Sequence, residues 1–231
     1  MRRALQLLNA ATGLRESPTS LIIFSGPMQS VSPLLPLSTS LSQRGFHVFT
    51  CDLLRPHFAL CTSTVDEIVD KIHASVQDAR ICSPPVALTF GLESILLQKY
   101  LESYPLAGLV MVDPLPPSPQ QALHGLLRST GSAQRLPKSA ACDTAQPATA
   151  ALAAALAPAA RTPVAATMAA SLLLRLAKEP VNLEPSPVPL LLLGDELQGP
   201  GVAATAALHG IQLPVQPYSS QAIQAWVEQR Y

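Results

Sequence analysis

Short apolar runs that alternate with amphipathic segments constrain the fold of this chain more than any other feature. Each run is apolar at successive positions, which is typical of strands buried on both faces. The runs occupy residues 20–27, 46–52, 85–91, 106–114 and 188–195, with a shorter one at 211–215. Helical spacing predicts helices at residues 33–44, 64–80, 94–104, 202–209 and 219–230. The alternation predicts an α/β fold, with a mostly parallel sheet, helices on both faces and right-handed crossovers.

The predicted helix at residues 64–80 carries the clearest local signals. Thr64 and Glu67 have the spacing of a capping box, in which each side chain binds the backbone N–H of the other residue. Its apolar positions form one stripe, made of Val65, Ile68, Val69, Ile72 and Val76. We expect this stripe to pack against the sheet, beside the strands at residues 21–24 and 86–88.

The composition indicates a folded chain without a dominant nucleic-acid surface. Hydrophobic residues make up 48% of the chain and charged residues 13%, against roughly 25% charged in average proteins. Such a chain has enough apolar surface to fold and is not disordered. Fifteen Lys and Arg residues balance fifteen Asp and Glu residues. Because nucleic-acid-binding domains usually carry a basic excess, any direct nucleic-acid contact is expected to be secondary to protein contacts.

The cysteines and histidines show no spacing typical of a metal site. The sequence has Cys51, Cys61, Cys82 and Cys142, and His47, His57, His73, His124 and His209. We interpret the cysteines as reduced thiols in an intracellular compartment. No glycine-rich dinucleotide or phosphate-binding motif is present. The sequence therefore predicts no cofactor and no metal.

Residues 115–180 differ in composition from the rest of the chain, because proline and alanine dominate there. We predict a helical cap or insertion with irregular linkers. Alanine helices form readily but bury little surface, so we expect this segment to be poorly stabilised alone and to carry the partner interface. Its apolar part, residues 148–177, is interrupted by Pro158, Arg161 and Pro163, which excludes a membrane span.

The first fifteen residues contain three arginines and no acidic residue. This pattern resembles a mitochondrial presequence, and the alternative is an ordinary basic helix. We therefore predict an N-terminal extension at residues 1–18, a single domain at residues 19–231 and a mitochondrial location.

The order of elements resembles the α/β-hydrolase superfamily over residues 20–231. Residues 22–26 are similar to the family strand that ends in His-Gly beside the oxyanion loop, and residues 41–48 are similar to its helix-to-strand step. Asp52-Leu53, followed by Arg55 and His57, matches the Asp-Leu-Arg-Gly-His stretch. Residues 106–114 end in Asp-Pro, as does the strand after the family's nucleophile helix. The resemblance implies the family fold, with residues 115–180 as its cap.

The resemblance places the sequence Thr-Phe-Gly-Leu-Glu, residues 89–93, at the family's Gly-x-Ser-x-Gly nucleophile turn. Gly91 then occupies the nucleophile position, and Thr89 and Glu93 replace the flanking glycines. Glycine has no nucleophilic side chain, although it tolerates the positive φ of a tight turn. Ser94 lies about one helical turn further on, and we do not expect it to face the oxyanion loop.

The acid and base positions also depart from the family pattern. After the strand at residues 188–194 the family usually has Gly-x-x-Asp, and here Leu197 takes the place of the aspartate. Asp195, Glu196 or Asp113 are alternatives for the acid, although each is more simply a strand-end or turn carboxylate.

The base should be a histidine in residues 215–221, where Tyr218 and Ser219 stand instead. Tyrosine ionises too far above neutral pH to serve as that base. We expect His209, which precedes the last strand, to be a cation at a helix end. No catalytic, cofactor-binding or metal residue is therefore assigned.

Three functions follow from these departures. We favour a non-catalytic protein that is a structural subunit of a larger mitochondrial assembly, such as the mitochondrial ribosome or a respiratory complex, with protein subunits as partners. The first alternative is a small-molecule-binding pseudoenzyme with an apolar cavity. The second is a serine esterase or thioesterase that uses Ser94 or Ser25 with a distant histidine, His57 or His124.

Overall fold

The strands of the chain form one parallel sheet, seen in a computed structural model that describes residues 19–27, 34–81, 83–116, 145–158, 160–178, 183–194, 200–211 and 215–231. They are β1 (Ser20–Ser25), β2 (His47–Asp52), β3 (Val86–Phe90), β4 (Gly108–Val112) and β5 (Leu190–Leu193). Their order is β2-β1-β3-β4-β5 and every neighbouring pair is parallel. Beyond β5, Gln216 forms a parallel bridge with Leu193. The predicted parallel sheet is confirmed, while residues 212–214 of the predicted sixth strand lie outside the described residues.

Helices cover both faces of this sheet, as the sequence predicts. They are α1 (Leu35–Gln43), α2 (Val65–Asp78), α3 (Glu93–Ser103), α4 (Ala145–Leu156), α5 (Pro163–Lys178), α6 (Pro200–His209) and α7 (Ser220–Arg230). Helices α1 and α7 pack on one face, in a cluster that contains Leu21 and Ile23. The other helices pack on the opposite face, with Ile22 and Phe24. None of the described helices is long and apolar enough to cross a lipid bilayer.

β2 departs from the prediction that every strand is covered on both faces. All residues of β1, β3 and β4 are buried, whereas none of the residues of β2 is. β2 lies at the edge of the sheet and pairs only with β1. An edge strand has one neighbour, so its side chains are only partly covered.

Helix α2 follows its sequence signals closely. Thr64 Oγ1 accepts from the N–H of Glu67 at 3.2 Å, and Glu67 Oε2 accepts from the N–H of Thr64 at 2.9 Å. Its apolar stripe is buried, and Ile68 and Ile72 are fully covered. The stripe packs in the same cluster as Ile22 of β1, so the predicted orientation is confirmed.

The pair of helices α4 and α5 corrects the expectation that alanine helices bury little here. Ala165, Ala166, Ala169 and Ala170 are each at most 1% exposed. Ala166, Ala169 and Ala170 belong to the main core cluster together with leucines of the same helix. Small side chains allow close approach of packed helices, so the alanines supply contact rather than bulk. Residues 117–144 of the predicted cap lie outside the described residues.

Candidate functional site

The turn between β3 and α3 has the sharp geometry that the resemblance implies. Gly91 has a φ of +48°, in the left-handed region that favours glycine. Its N–H donates to the carbonyl oxygen of Val112 at 3.0 Å, which ties the turn to the end of β4. A Cβ atom at this position would meet no atom within 4 Å. The turn thus has open space where a nucleophilic side chain would stand.

Ser94 is engaged inside this turn. Its Oγ donates to the carbonyl oxygen of Gly91 at 2.6 Å. The residue is fully buried. The structure therefore does not present this hydroxyl to a substrate at the turn.

Glu93 is the most unusual group of the site. Its side chain is 1% exposed, and neither carboxyl oxygen has a hydrogen-bond partner in the described part of the chain. The carboxyl group lies so close to Gly26 that a Cβ at Gly26 would overlap Glu93 Oε1. Burial raises the pKa of Glu93 to about 8, and the nearby charges of Arg161 and Asp52 act in opposite directions on it. Burial therefore favours the neutral carboxylic acid form of Glu93 over the carboxylate at pH 7.

An ion pair lies beside Glu93 at the carboxyl ends of β1 and β2. Arg161 Nη1 and Asp52 Oδ1 are 3.0 Å apart, and the same Oδ1 accepts from the N–H of Leu54 at 3.1 Å. The backbone N–H of Arg161 donates to the carbonyl oxygen of Pro27 at 3.1 Å. The loop between α4 and α5 is therefore anchored to the strand end that bears Gly26.

Ser25 and His57 are not brought together. Ser25 is fully buried, and its Oγ has no partner among the described residues. His57 Nε2 instead lies 3.4 Å from Ser75 Oγ, while Ser75 donates to the carbonyl oxygen of Lys71 at 3.0 Å. His124 lies outside the described residues.

Asp113 connects the ends of β4 and β5. It has a φ of +44°, uncommon for a residue with a side chain. Its Oδ1 lies so close to Gly194 that a Cβ atom there would clash with it. The side chain is exposed. Asp195, Glu196 and Leu197, the other residues considered for the acid position, lie outside the described residues.

The residues at the base position have structural contacts. The ring of Tyr218 meets that of Phe90 edge-on, with centroids 6.2 Å apart, and partial burial raises the Tyr218 pKa. Ser219 is the N-cap of α7, and its Oγ accepts from the N–H of Ala222 at 3.4 Å. Gln216 pairs with the end of β5.

His209 contradicts the prediction of a cation at a helix end. It does end α6, but its Nδ1 accepts from the N–H of Ser186 at 2.8 Å. Its Nε2 lies 3.1 Å from Gln98 Oε1, so Nε2 carries the single ring proton and donates it. Burial lowers the pKa of His209, which favours this neutral form. The partners are distant in sequence, so no local signal points to them.

In the residues that the structure describes, no group of three or more histidine, cysteine or acidic side chains is arranged to hold a metal ion. Cys51 is partly buried and Cys61 is exposed, and both are free thiols. Cys82 and Cys142 lie outside the described residues.

The burial of Glu93 is the main site feature that the sequence argument missed. A signal for it was present, because the resemblance calls for a small residue at this position, where the turn is crowded. A glutamate placed there has to be buried.

No protein-family model matches the chain, and no curated protein matches it significantly in sequence. Solved structures do match it in fold. A proline iminopeptidase-related protein from Thermus thermophilus is 18% identical with a TM-score of 0.57, over 93% of this chain and 88% of that one. An esterase from Thermogutta terrifontis is 16% identical with a TM-score of 0.55, over 92% and 90%.

An α/β hydrolase from Sphaerobacter thermophilus is 14% identical with a TM-score of 0.50, over 92% and 93%. The similarity in each case extends along nearly the whole of both chains. Together with the parallel strand order and the sharp turn at Gly91, it establishes that this chain has the α/β-hydrolase fold.

Proposed function

We propose that this chain is a non-catalytic protein with the α/β-hydrolase fold. The residue at the turn between β3 and α3 supports this most directly. Serine hydrolases of this fold carry the nucleophile there, and this chain has Gly91, with a φ of +48°. Because glycine has no side-chain oxygen or sulfur, no covalent acyl intermediate forms at this position.

The surroundings of the turn also disfavour an oxyanion hole. Such a hole takes one backbone N–H from the loop after the strand that corresponds to β1. In this chain that loop begins with Gly26 and Pro27. Proline has no N–H to donate, and the Glu93 carboxyl fills the space against Gly26.

A hydrolase that uses a different serine is the alternative. The solved neighbours include an esterase, which makes this alternative worth testing. Ser94 donates to the carbonyl oxygen of Gly91, and Ser25 is fully buried. In the described part of the chain, neither hydroxyl has the histidine partner that a serine nucleophile requires.

We also propose that the protein acts as a subunit of a larger mitochondrial assembly, such as the mitochondrial ribosome or a respiratory complex. A surface with few charges is easily desolvated, which suits contact with neighbouring protein subunits. Charged residues are only 13% of the chain, and the net charge is zero. The arginine-bearing, acid-free first fifteen residues support the mitochondrial location.

A fluorophosphonate probe tests the absence of catalysis. The purified full-length chain and an active serine esterase are treated in parallel, and intact mass is measured. We expect an adduct on the esterase only, and we expect Gly91→Ser to stay unlabelled because no histidine stands at Tyr218 or Ser219. A stoichiometric adduct on the wild-type chain at any serine contradicts the proposal.

The assembly is tested separately. The tagged chain is expressed in cells of the organism from which it comes. The cells are lysed without denaturant, and the native size of the tagged chain is measured by size-exclusion chromatography. We expect elution far above the 24.4 kDa of the chain, together with stoichiometric protein partners. For the location, residues 1–18 are fused to a fluorescent protein, with a matched fusion in which the three arginines are glutamine. A monomeric elution position refutes the subunit role, and equal cytosolic signal from both fusions refutes the location.

A further inference from the structure

A cleft away from the turn at Gly91 lies between β2 and α2. It has a volume of 180 Å³ and extends from the edge strand to the segment at Pro56–Phe58 and the last turns of α2. One of its walls is the edge strand β2, which pairs only with β1. The proposed function assigns no role to this cleft.

The walls of the cleft are mainly apolar. Phe49, Phe58, Val76, Ala79 and Ile81 line it. An apolar cavity of about 150 Å³ in another protein holds a benzene molecule. A cleft of 180 Å³ therefore has room for a body the size of a benzene ring and a small polar group.

One positive charge at this cleft is uncompensated. Arg55 lines it and is exposed, and no acidic side chain of the described chain forms an ion pair with it. Asp52 also lines the cleft, but its carboxylate is paired with Arg161 at 3.0 Å. Burial raises the pKa of the Cys51 thiol to about 12, so this lining group adds no negative charge at neutral pH.

Two further residues of the lining carry hydrogen-bonding side chains. His57 and Ser75 line the cleft, and His57 Nε2 lies 3.4 Å from Ser75 Oγ. The arrangement is therefore an apolar chamber with an unpaired guanidinium and hydrogen-bonding groups. Pockets that orient a small ligand combine these features. A guanidinium binds a carboxylate through paired, charge-assisted hydrogen bonds.

We propose that this cleft binds a small organic carboxylate, whose apolar body of about the size of a benzene ring lies against Phe49 and Phe58 and whose carboxylate binds Arg55. This inference is independent of the catalytic question, because it involves neither Gly91 nor Glu93. The ligand class is a monocarboxylate. The lining contains one guanidinium, that of Arg55, which matches a single carboxylate.

Benzoate titration of the full-length chain tests the proposal, with neutral benzamide as the matched ligand of the same size. Binding is measured by calorimetry and by backbone amide shifts. We expect saturable benzoate binding at least tenfold tighter than benzamide binding, with shifts at Thr50 and Ser75. Arg55→Gln should reduce benzoate affinity at least tenfold and leave benzamide unchanged. Arg230→Gln, which removes a cation that lies over Trp226 on α7, should change neither.

A second variant fills the chamber. Ala79→Leu places a larger side chain into the cleft and should abolish binding of both ligands, while the thermal transition checks that the protein folds. If Ala79→Leu does not fold, the comparison of Arg55→Gln with the wild type still tests the proposal. Arg55 is exposed, so its replacement should leave the protein folded. The proposal is overturned if the wild type shows no saturable benzoate binding, if benzamide binds equally well, or if either folded variant binds benzoate as the wild type does.

Discussion

Replacement of the buried Glu93 carboxyl should stabilise the protein increasingly as the pH rises. Glu93 is 1% exposed, and its oxygens have no hydrogen-bond partner in the described residues. Its pKa rises from 4.5 to about 8 on folding. A glutamate with a raised folded-state pKa contributes stability that is fully present below the unfolded value and is lost as pH rises through the folded value. Glu93→Gln keeps the shape and removes the ionisation, so it should avoid this loss.

The size of the effect follows from the interval between the two pKa values. The loss accumulates between pH 4.5 and about pH 8, at about 1.4 kcal/mol per pH unit, with a ceiling of about 5 kcal/mol. Local opening that lets water reach the carboxylate lowers this figure, so we expect Glu93→Gln to gain about 2–4 kcal/mol at pH 8. At pH 4.5 the two proteins should differ by less than about 1 kcal/mol, because the carboxyl is then protonated in the folded state and only half ionised in the unfolded state.

Urea unfolding at pH 4.5, 6, 7 and 8 measures this difference, with Trp226 fluorescence and circular dichroism as probes. Glu184→Gln is the matched control, since Glu184 is exposed, and its difference from wild type should stay flat with pH. A Glu93→Gln difference that is equally flat refutes the reasoning. It would mean that the Glu93 carboxylate is solvated or paired in the folded protein.

Three further changes test the packing of α2, the N-cap of α2 and the neutral state of His209. Ile68→Ala should cost about 2–4 kcal/mol in urea unfolding, because it leaves a cavity under α2, while exposed Asp78→Ala should cost little; a cost below about 0.5 kcal/mol for Ile68→Ala contradicts the packing. Thr64→Ala should cost about 1 kcal/mol by loss of the capping hydrogen bond, and Thr64→Ser should restore most of it; equal losses in both contradict the cap. Because the pKa of His209 is lowered from 6.5, its contribution is present above pH 6.5 and lost as pH falls through the folded value. The unfolding free energy of His209→Gln should thus fall less than that of wild type between pH 7 and pH 5, and equal slopes would contradict the neutral histidine.

The sheet could be predicted from the sequence because buried parallel strands are apolar at successive positions. β1, β3 and β4 are buried at every residue, and this produces the apolar runs directly. The edge position of β2 could not be predicted in the same way. Its neighbours are set by the order of strands in space, and the run at residues 46–52 contains no local signal for that order.

The contacts of the site depend on groups distant in sequence, which local patterns do not reveal. His209 binds Gln98 and Ser186 through its two ring nitrogens, so its charge state is set by burial and by residues on other elements. A histidine in the last turn of a helix usually suggests a cation interacting with the helix dipole. Here desolvation and an acceptor role at Nδ1 oppose that charge.

The two residues that replace the family pattern at the turn, Gly91 and Glu93, have opposite effects on stability. A nucleophile at position 91 would need a positive φ in a residue with a side chain, which costs roughly 1–2 kcal/mol, and Gly91 removes that strain at its φ of +48°. Glu93 has the opposite effect, since burial of its carboxyl raises the pKa to about 8 and costs stability at neutral pH. A glutamine or a smaller neutral residue at position 93 would avoid this cost. The burial of an ionisable acid beside a relaxed turn is therefore not explained by stability alone, and this makes Glu93 the residue of the site whose replacement is most informative about function.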